Sequence, residues 1–412
     1  MASEQHAVSD QLLDGIPQLS NCGISPGDRW IFSAGFNVDA ALTSTGRIDT
    51  ELGDLRALSD AGARVAVLSH QGSHLDGSAA PLDHVATYLA HRLARPVRYC
   101  AQNASAEAAR TAMRMRPGEI VIFGNTREHS GEEHNDPGLA ARFARLGDRV
   151  AVGGFSKAHR SHASNTGLLR FLPGYAADSL LTEAARLAPW ARPESFRAAV
   201  VGGRKPEKTL MGLAHFVRSH RLVVPGGLVL HALLRALGLE TGASELGSRP
   251  EHCLAAARSA LATTGGARLH IPRTVWVAPV DRPGRARPVP VVDGVPAGHA
   301  IVDFTVEPWA LHLLSAADRT VIAGTPCRYL DGHRGAADAI LRALSPVPAT
   351  TLLLGGDTVA ELPWAGPTST GGGSALELLA TDTCAVFEAL RANAVAPPSP
   401  THLTPAPEES RT

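Results

Sequence analysis

The sequence predicts an α/β protein with two domains, each built on a largely parallel sheet, and three observations support this fold class. Short apolar runs alternate with longer stretches rich in Ala, Leu and Arg, as strands alternate with crossover helices. The apolar runs are too numerous for one small sheet. The chain of 412 residues is also longer than an ordinary single domain, and its 44% of hydrophobic residues can supply two cores.

Strands and helices are predicted from the spacing of apolar residues. Runs typical of strands lie at residues 30–32, 65–68, 120–123, 150–152, 198–201, 222–224, 275–277, 321–323 and 352–354. Helical spacing is found at residues 110–116, 139–146, 178–187, 336–344 and 375–390. Pro189 and Pro193 should end the helix that begins at Asp178. Because helices connect the strands, we expect right-handed crossovers and parallel pairing.

The chain is expected to divide near the helix that begins at Asp178. We assign residues 1–178 to an N-terminal domain and residues 194–394 to a C-terminal domain. Residues 179–193 would form an interdomain helix, which could be a hinge or a simple connector. The tail at 395–412 carries five prolines and is expected to be disordered.

Composition excludes several classes of protein. The net charge is zero and aromatic residues make up 5%, which argues against a nucleic-acid-binding protein. No apolar run is long enough to cross a membrane, and the polar N-terminus does not resemble a signal peptide. The five cysteines are scattered and form no CxxC pair. We therefore expect a cytoplasmic protein without disulfides or a zinc cluster.

Glycine-rich turns follow several predicted strands of the second half. Glycines at strand ends let a ligand approach the backbone, and a glycine triplet before a helix presents N–H groups to an anion. Lysine is rare in this chain, yet two of the three lysines lie close to one such turn, where chance or phosphate binding could have placed them. An aspartate in another turn could bind magnesium. The residues are Gly202, Gly203, Lys205, Lys208, Gly355, Gly356, Asp357, Thr358, Gly371, Gly372 and Gly373.

Basic residues mark the predicted loops of the first half. They are Arg47, His70, Arg127, His159, Arg160 and His162. Arginines in loops at one sheet edge could bind carboxylates and phosphates, although each could also be a solvated surface residue. The two close histidines could instead be structural, and the spacing of carboxylates and thiols does not support a metal site there.

Taken in order, these motifs resemble those of the phosphoglycerate kinase family from about Asp28 to Leu379. In the first half the matching segments are Phe36-Asn37-Val38, Arg47-Ile48, Leu68-Ser69-His70-Gln71-Gly72, Asn125-Thr126-Arg127, Glu132-Glu133-His134-Asn135-Asp136-Pro137 and Ala158-His159-Arg160-Ser161-His162-Ala163-Ser164. In the second half they are Gly202-Gly203-Arg204-Lys205, Gly355-Gly356-Asp357-Thr358 and Ser369-Thr370-Gly371-Gly372-Gly373. Because six or more motifs occur in the correct order, the resemblance is specific.

The resemblance implies two Rossmann-like, doubly wound domains around a hinged cleft. The N-terminal domain would bind the acid and the C-terminal domain Mg²⁺ with ATP or ADP, for phosphoryl transfer to a carboxylate. Catalytic residues would be Arg47, Lys205, Gly371, Gly372 and Gly373. The acid would contact Asn37, His70, Arg127, His159 and Arg160. The nucleotide would contact Gly202, Gly203, Lys205, Lys208, Gly226, Gly227, Asp331, Gly355, Gly356, Asp357 and Thr358, with Asp357 also positioning the metal.

The chain also departs from the family pattern, chiefly in the acid pocket. Gly35 stands where the family has an aspartate near the substrate hydroxyl, and Ser73 stands where it has a phosphate-binding arginine. The segments at 152–155 and 323–326 differ as well, and Lys208 is one residue closer to Lys205 than the family pattern has it. Loss of an arginine–phosphate contact costs about 2–5 kcal/mol when the pair is desolvated.

These departures favour a kinase that forms an acyl phosphate on a small acid other than the family's own acceptor. An acyl-phosphate-forming ligase, a glycolytic phosphoglycerate kinase and a non-catalytic nucleotide-responsive binding protein remain alternatives. The expected partners are a small carboxylate and a nucleotide, without nucleic acid or membrane, and the resemblance favours a monomer.

Overall fold

The computed structural model describes residues 12–191, 196–206, 208–263, 267–282 and 284–398. Within this part, the chain forms two compact units. The first unit contains residues 12–185 together with 384–398, and the second contains the described residues of 186–383. Two parallel-sheet α/β units agree with the predicted fold class.

The first unit is built on a six-stranded sheet in the order β3-β4-β2-β1-β5-β6, and every pairing in it is parallel. Its strands are β1 Arg29–Ser33, β2 Arg64–Leu68, β3 Val97–Cys100, β4 Ile120–Phe123, β5 Arg149–Val152 and β6 Gly174–Ala176. The four predicted strands of this half are confirmed. The sequence analysis missed β3 and β6, which are short and lack a continuous apolar run.

The second unit has its own six-stranded parallel sheet, in the order β15-β14-β13-β7-β8-β9. The chain runs through β7 and β8 to one side and then crosses to β13 on the other side of β7. Its strands are β7 Arg197–Val201, β8 Leu222–Pro225, β9 Arg268–Leu269, β13 Arg319–Ala323, β14 Thr351–Leu354 and β15 Thr368–Ser369.

A three-stranded antiparallel sheet completes the second unit. It contains β10 Thr274–Pro279, β11 Arg287–Pro290 and β12 His299–Phe304, with β10 in the centre. The strand predicted at 275–277 is confirmed, and its antiparallel pairing is an exception to the largely parallel sheets expected. Alternating burial along β10 shows the reason, because Val275 and Val277 point into the core while Trp276 is exposed. One solvated face is typical of antiparallel sheets.

Helices connect the strands of both units. They are α1 Gly46–Asp49, α2 Leu52–Asp60, α3 Asp83–Leu93, α4 Ala106–Met113, α5 Pro137–Ala144, α6 Asp178–Ala191, α7 Ala214–Ser219, α8 Gly227–Ala236, α9 Pro250–Ala262, α10 Pro308–Ser315, α11 Gly335–Leu344, α12 Gly356–Glu361, α13 Gly372–Thr381 and α14 Ala385–Val395. No helix among the described residues is long and apolar enough to cross a membrane. All five cysteines lie in the described part of the chain, and none of them forms a disulfide.

Three predicted helix boundaries need correction. The helix expected at 375–390 is two helices, α13 and α14, because Asp382 adopts a left-handed conformation with φ of 55° and ends the first one. The helix expected at 110–116 ends at Met113, shortly before Pro117, whose ring disfavours helical geometry in the preceding residue. Pro189 lies inside α6, which continues to Ala191, and Pro193 lies outside the described residues.

The predicted domain boundaries differ from the compact units in one respect. Residues 384–394 were assigned to the C-terminal domain, but α14 belongs to the first unit. Asn393 explains this packing, since its side-chain amide donates to the carbonyl oxygens of Leu169 and Leu172 and accepts from the Gly174 N–H. A tertiary contact more than 200 residues away in sequence cannot be inferred from local patterns. The predicted disordered tail lies outside the described residues from 399 onward.

Each unit has its own apolar core. In the first unit, β1 and β2 bury Trp30, Phe32 and Val67 against helices α2 and α3. In the second unit, one core joins the parallel sheet to the small antiparallel sheet, as Val200 and Phe304 illustrate. Rigid packing of this kind holds the carboxyl ends of the strands, where the candidate site residues lie.

Candidate active site

Glycine turns of the second unit gather at the carboxyl edge of its parallel sheet. Gly202 follows β7, Gly226 follows β8 and Gly324 follows β13. A Cβ atom at Gly226 would lie 2.4 Å from Pro326 O, and one at Gly324 would lie 2.1 Å from Gly202 O. Side chains are therefore excluded where these strand ends meet. The chain order reverses between β7 and β13, and such switch points are where open α/β sheets bind ligands.

Lys205 and Asp357 lie next to each other at this edge. Lys205 Nζ is 2.6 Å from Asp357 Oδ2, and both side chains are about two-thirds exposed, at 66% and 67%. The salt bridge joins the turn after β7 to the first turn of α12. Since it is exposed, it contributes little to stability, and both groups are accessible to a ligand.

Lys208 differs from Lys205 because it is buried. It begins a π-helical turn at Lys208–Leu213, and its Nζ atom lies 3.6 Å from the position of a Cβ at Gly355. Thr358 is also buried, and its Oγ1 lies 3.4 Å from the same Cβ position of Gly355, which has a φ of +107°. The Lys208 side chain is thus held against the turn after β14. Single-turn π-helices are often found at functional sites.

The glycine triplet opens α13 as predicted from the sequence. Gly371 precedes the helix, and its N–H donates to Ser369 Oγ at 3.1 Å. The Gly355 N–H donates to Ser369 O at 2.8 Å, so the turns after β14 and β15 are joined. The first N–H groups of a helix lack intrahelical partners and can bind an anion.

The remaining predicted nucleotide residues lie on the same edge. Asp331 is exposed at the end of the Tyr329–Asp331 turn that follows β13. Gly227 has a φ of +48° and sits close to Gly203, whose carbonyl oxygen would be 2.7 Å from a Cβ at Gly227. The structure therefore brings the predicted nucleotide-binding residues together on one sheet edge.

Asp357 is the carboxylate that pairs with Lys205 at this edge. Within the described ranges there is no group of three or more His, Cys, Asp or Glu side chains that could hold a metal. Mg²⁺ in kinases is commonly bound by one or two carboxylates together with substrate phosphates. The exposed carboxylate of Asp357 beside glycine turns fits an ion that arrives with a nucleotide.

The first unit carries a basic cluster at the edge of its own sheet. Burial lowers the pKa of His70 well below the usual histidine range, and the nearby charges of Arg127, Lys157 and Arg160 lower it further. Burial also lowers the pKa of His162, to about 3, with Arg127 and Arg160 again contributing. The structure thus brings His70, Arg127, Arg160 and His162 into one positive region, as expected for an anion-binding site.

His159 lies next to this cluster and contacts Arg160, whose Nε donates to His159 Nε2 at 3.3 Å. Burial lowers the pKa of His159 to about 4, and the Arg160 charge adds to the shift. His159 and His162 are therefore both neutral at physiological pH. Neutral imidazoles bind an acid by hydrogen bonds, so the positive charge of the cluster comes from the arginines.

Arg127 is buried, with a side-chain exposure of 4%, and is paired with Glu133. The same glutamate accepts a hydrogen bond from Ser73 Oγ at 3.2 Å. Ser73 therefore bonds to the partner of Arg127, and it brings no positive charge to the cluster.

Arg47 lies on α1 and is exposed, and its Nη1 donates to Asn37 O at 2.9 Å. Two residues predicted at the acid site are thus in direct contact. The structure places α1, and Arg47 with it, in the connection between β1 and α2.

Two charged residues at this edge were missed by the sequence analysis, Glu51 and Lys157. Both are buried, with exposures of 2% and 4%. Burial raises the pKa of Glu51 and lowers that of Lys157, while each charge shifts the other group back toward its ionised form. The rarity of lysine was a signal for Lys157, but only the other two lysines were interpreted. Glu51 has no sequence signal, since it lies outside every motif.

Comparison with known proteins identifies the family. The family profile described as phosphoglycerate kinase matches residues 29–382. A phosphoglycerate kinase of Rhizorhabdus wittichii is 34% identical over 390 residues, covering 87% of this chain and 95% of the relative. One of Novosphingobium aromaticivorans is 35% identical over 368 residues, covering 82% and 89%.

Solved structures agree with this result at the level of the fold. Phosphoglycerate kinase of Coxiella burnetii superposes with a TM-score of 0.71 at 24% identity, covering 92% of this chain and 99% of the other. The enzyme of Pyrococcus horikoshii gives 0.73 at 21%, covering 91% and 98%. With two parallel-sheet units and an ordered set of motifs across most of its length, this chain belongs to the phosphoglycerate kinase family.

Proposed function

We propose that this chain transfers a phosphoryl group from ATP to the carboxylate of a small acid, giving an acyl phosphate. The observation that carries this proposal is the pairing of Lys205 with Asp357 at a glycine-lined sheet edge. A cation and a magnesium-binding carboxylate beside free helix N–H groups are what a nucleotide triphosphate needs. Membership of the phosphoglycerate kinase family supports the same chemistry.

In this proposal the second unit binds Mg²⁺ and nucleotide. Lys205 neutralises phosphate oxygens, Asp357 holds the magnesium ion, and the N–H groups at the start of α13 stabilise the transferring group. Phosphoryl transfer depends on positioning and charge neutralisation more than on a covalent catalyst. These groups therefore suffice to bind the nucleotide and to stabilise the transferring phosphoryl group.

The first unit supplies the acid side. His70, Arg127 and Arg160 would bind the anionic acid, and Arg47 would stabilise charge on the acceptor carboxylate and the transferring phosphoryl group. Arg47 is suited to this role because a guanidinium is always charged and binds carboxylate or phosphate oxygens through two donors.

We further propose that the acceptor differs from 3-phosphoglycerate. Ser73 bonds to Glu133 and supplies no charge, and Gly35 is in backbone contact with Gly154, because a Cβ at Gly35 would lie 2.7 Å from Gly154 Cα. The acid pocket thus lacks two polar groups that the family resemblance leads one to expect. The acid could carry a smaller anion, a phosphonate or no second anion.

A second candidate is the glycolytic reaction with 3-phosphoglycerate. Its support is that relatives at 31–35% identity carry the name phosphoglycerate kinase. In either case we propose that the enzyme acts as a monomer in the cytoplasm, a reducing compartment that suits five cysteines without a disulfide among them.

The test is a screen of small carboxylic acids with Mg-ATP and hydroxylamine, which traps an acyl phosphate as a hydroxamate. We expect ADP release and hydroxamate with one or more acids, and little of either with 3-phosphoglycerate. Fast turnover of 3-phosphoglycerate at low KM would establish the second candidate instead. Absence of Mg-nucleotide binding at millimolar concentration would contradict both candidates.

A further inference from the structure

Glu51 and Lys157 fill the crevice between β1 and β5. The chain order of the first sheet reverses here, because β2 and β4 lie on one side of β1 and β5 and β6 on the other. Ligands of open α/β sheets bind at such switch points. In this chain the crevice is lined by glycines that follow the two strands, Gly35 after β1 and Gly153 and Gly154 after β5.

The Glu51 carboxylate occupies the space that a side chain at residue 153 would need. Its Oε1 accepts the Gly35 N–H at 3.0 Å, and its Oε2 lies 2.3 Å from the position of a Cβ at Gly153. Glu51 is the residue immediately before α2. A glycine at 153 is therefore required for the carboxylate to fit.

The Lys157 side chain fills the other part of the crevice. Its Cε lies 2.9 Å from the position of a Cβ at Gly154, and its Nζ donates to Ser33 Oγ at 2.8 Å and Asn165 Oδ1 at 2.9 Å. Lys157 is thus bonded to polar groups that line the crevice, whereas Glu51 Oε2 is buried there without a hydrogen-bond partner.

The filled crevice adjoins the basic cluster. The charge of Lys157 contributes to the lowered pKa of His70, and the Phe36 N–H donates to Ser69 Oγ at 2.9 Å, next to that histidine. An acid bound by the cluster would therefore lie beside the crevice without being able to extend into it.

We propose that Glu51 and Lys157 determine the acceptor specificity of this chain by filling the switch-point crevice. The site then takes a small carboxylic acid whose anionic groups are held by the basic cluster and which sends no polar substituent between β1 and β5. This inference rests on the proposed function, since it assumes that the first unit binds the acceptor.

The test compares two acids that differ in one hydroxyl group, 3-phosphoglycerate and 3-(phosphonooxy)propionate. Binding of each to the full chain is measured by calorimetry without nucleotide, and KM and kcat are measured with Mg-ATP. We expect the wild-type protein to bind the acid without the hydroxyl at least as tightly as 3-phosphoglycerate. A site that hydrogen-bonds a hydroxyl would instead reject the analogue lacking it.

Two double variants test the role of the filling side chains. Glu51→Ala with Lys157→Ala empties the crevice and frees Ser33 and Asn165 from their contact with Lys157. We expect this variant to shift its preference toward 3-phosphoglycerate by at least about tenfold, in KM and Kd more than in kcat. Glu51→Gln with Lys157→Met keeps the volume and removes the charges, and should keep the wild-type ratio of the two affinities.

Wild-type binding of 3-phosphoglycerate more than tenfold tighter than the analogue would overturn the inference, even if the emptied variant does not fold. An emptied variant that is folded by thermal unfolding and keeps the wild-type ratio would overturn it as well, as would failure of the wild-type protein to bind either acid at millimolar concentration. Binding in the expected ratio without any phosphoryl transfer would leave the inference standing and remove the proposed kinase activity.

Discussion

Lys205 Nζ lies 2.6 Å from Asp357 Oδ2, in a salt bridge that connects the ends of β7 and β14 across the intervening strand β13. A bound Mg-nucleotide would compete for both groups, the phosphates for the lysine and the metal for the aspartate. Exposed pairs contribute little to stability, so these two residues can be replaced without unfolding the second unit.

We predict that Asp357→Ala weakens Mg-ADP binding by roughly 10- to 100-fold, the range found when groups that support a metal are removed. The affinity for ADP without magnesium should change much less. Calorimetry with and without Mg²⁺ measures both values.

A matched control is Asp281→Ala, which removes another exposed carboxylate of the second unit, paired with Arg282 at 3.5 Å. Asp281 lies after β10 of the small antiparallel sheet. Asp382 would be a less suitable control, because that residue ends α13 in a left-handed conformation. An equal effect of both variants would contradict the assignment of Asp357.

Arg47 is predicted to act on turnover and not on nucleotide binding. Arg47→Ala should reduce acid-dependent turnover by roughly two to three orders of magnitude, as expected for loss of a preorganised charge stabiliser. Affinity for Mg-ADP should be unchanged, because the nucleotide residues belong to the other unit. Steady-state kinetics on the true acceptor and ADP calorimetry measure the two effects.

Arg56→Ala serves as the control for Arg47, since Arg56 is also exposed and also donates to a backbone carbonyl, that of Arg92, at 3.2 Å. Its turnover should be close to that of the wild type. If both variants lose activity equally, the effect of Arg47→Ala is structural. A large loss of ADP affinity in Arg47→Ala would contradict the assignment of nucleotide binding to the second unit alone.

His162 should make the stability of the first unit depend on pH. Its folded-state pKa is lowered to about 3, so below about pH 6.5 the unfolded chain binds a proton that the folded chain does not. This term therefore lowers the free energy of unfolding as the pH falls from 6.5 toward 3. Other buried groups have shifts of the opposite sign, such as Glu132, whose pKa is raised by burial.

The His162→Gln variant isolates this term. Between pH 7 and pH 5 it should gain roughly 1 kcal/mol of stability relative to the wild type, allowing for partial exposure of the ring. Urea unfolding at the two pH values gives the difference. A His134→Gln variant provides the control, because His134 is exposed. Identical pH dependence of the His162→Gln variant and the wild-type protein would show that His162 is not held neutral in the folded state.

The glycine turns and the basic cluster could be predicted because each motif is local and follows a strand. Once the strands are parallel, their carboxyl ends meet at one edge, which brings Gly202, Gly355 and Gly371 together. Glu51 could not be predicted in this way. It lies outside the motifs, and its contact with Gly35 depends on how α2 packs on the sheet.

The departures at 152–155 were visible in the sequence, but their meaning was not. Gly153 and Gly154 looked like lost functional side chains, whereas the structure shows that Glu51 and Lys157 occupy the space above them. Whether a functional side chain has been lost or its place has been taken by another residue can be decided only from tertiary packing. The same packing determines the expected effect of replacing Gly35 with the aspartate of the family pattern.

We predict that Gly35→Asp does not restore a site for 3-phosphoglycerate, alone or with Ser73→Arg. A Cβ at Gly35 would lie 2.7 Å from Gly154 Cα and 3.2 Å from Glu51 Oε1, so the new carboxylate would meet backbone on one side and another carboxylate on the other. Overpacking of this kind costs about 1–3 kcal/mol, and confining two carboxylates adds to it.

Gly53→Asp is the control, since a Cβ there meets nothing within 4 Å and an acidic residue suits the first turn of α2. Thermal unfolding should show a lower Tm for Gly35→Asp only, and kinetics should show no gain in kcat/KM for 3-phosphoglycerate. A stable Gly35→Asp protein with improved use of 3-phosphoglycerate would mean that the crevice opens readily and that Glu51 does not restrict the acceptor.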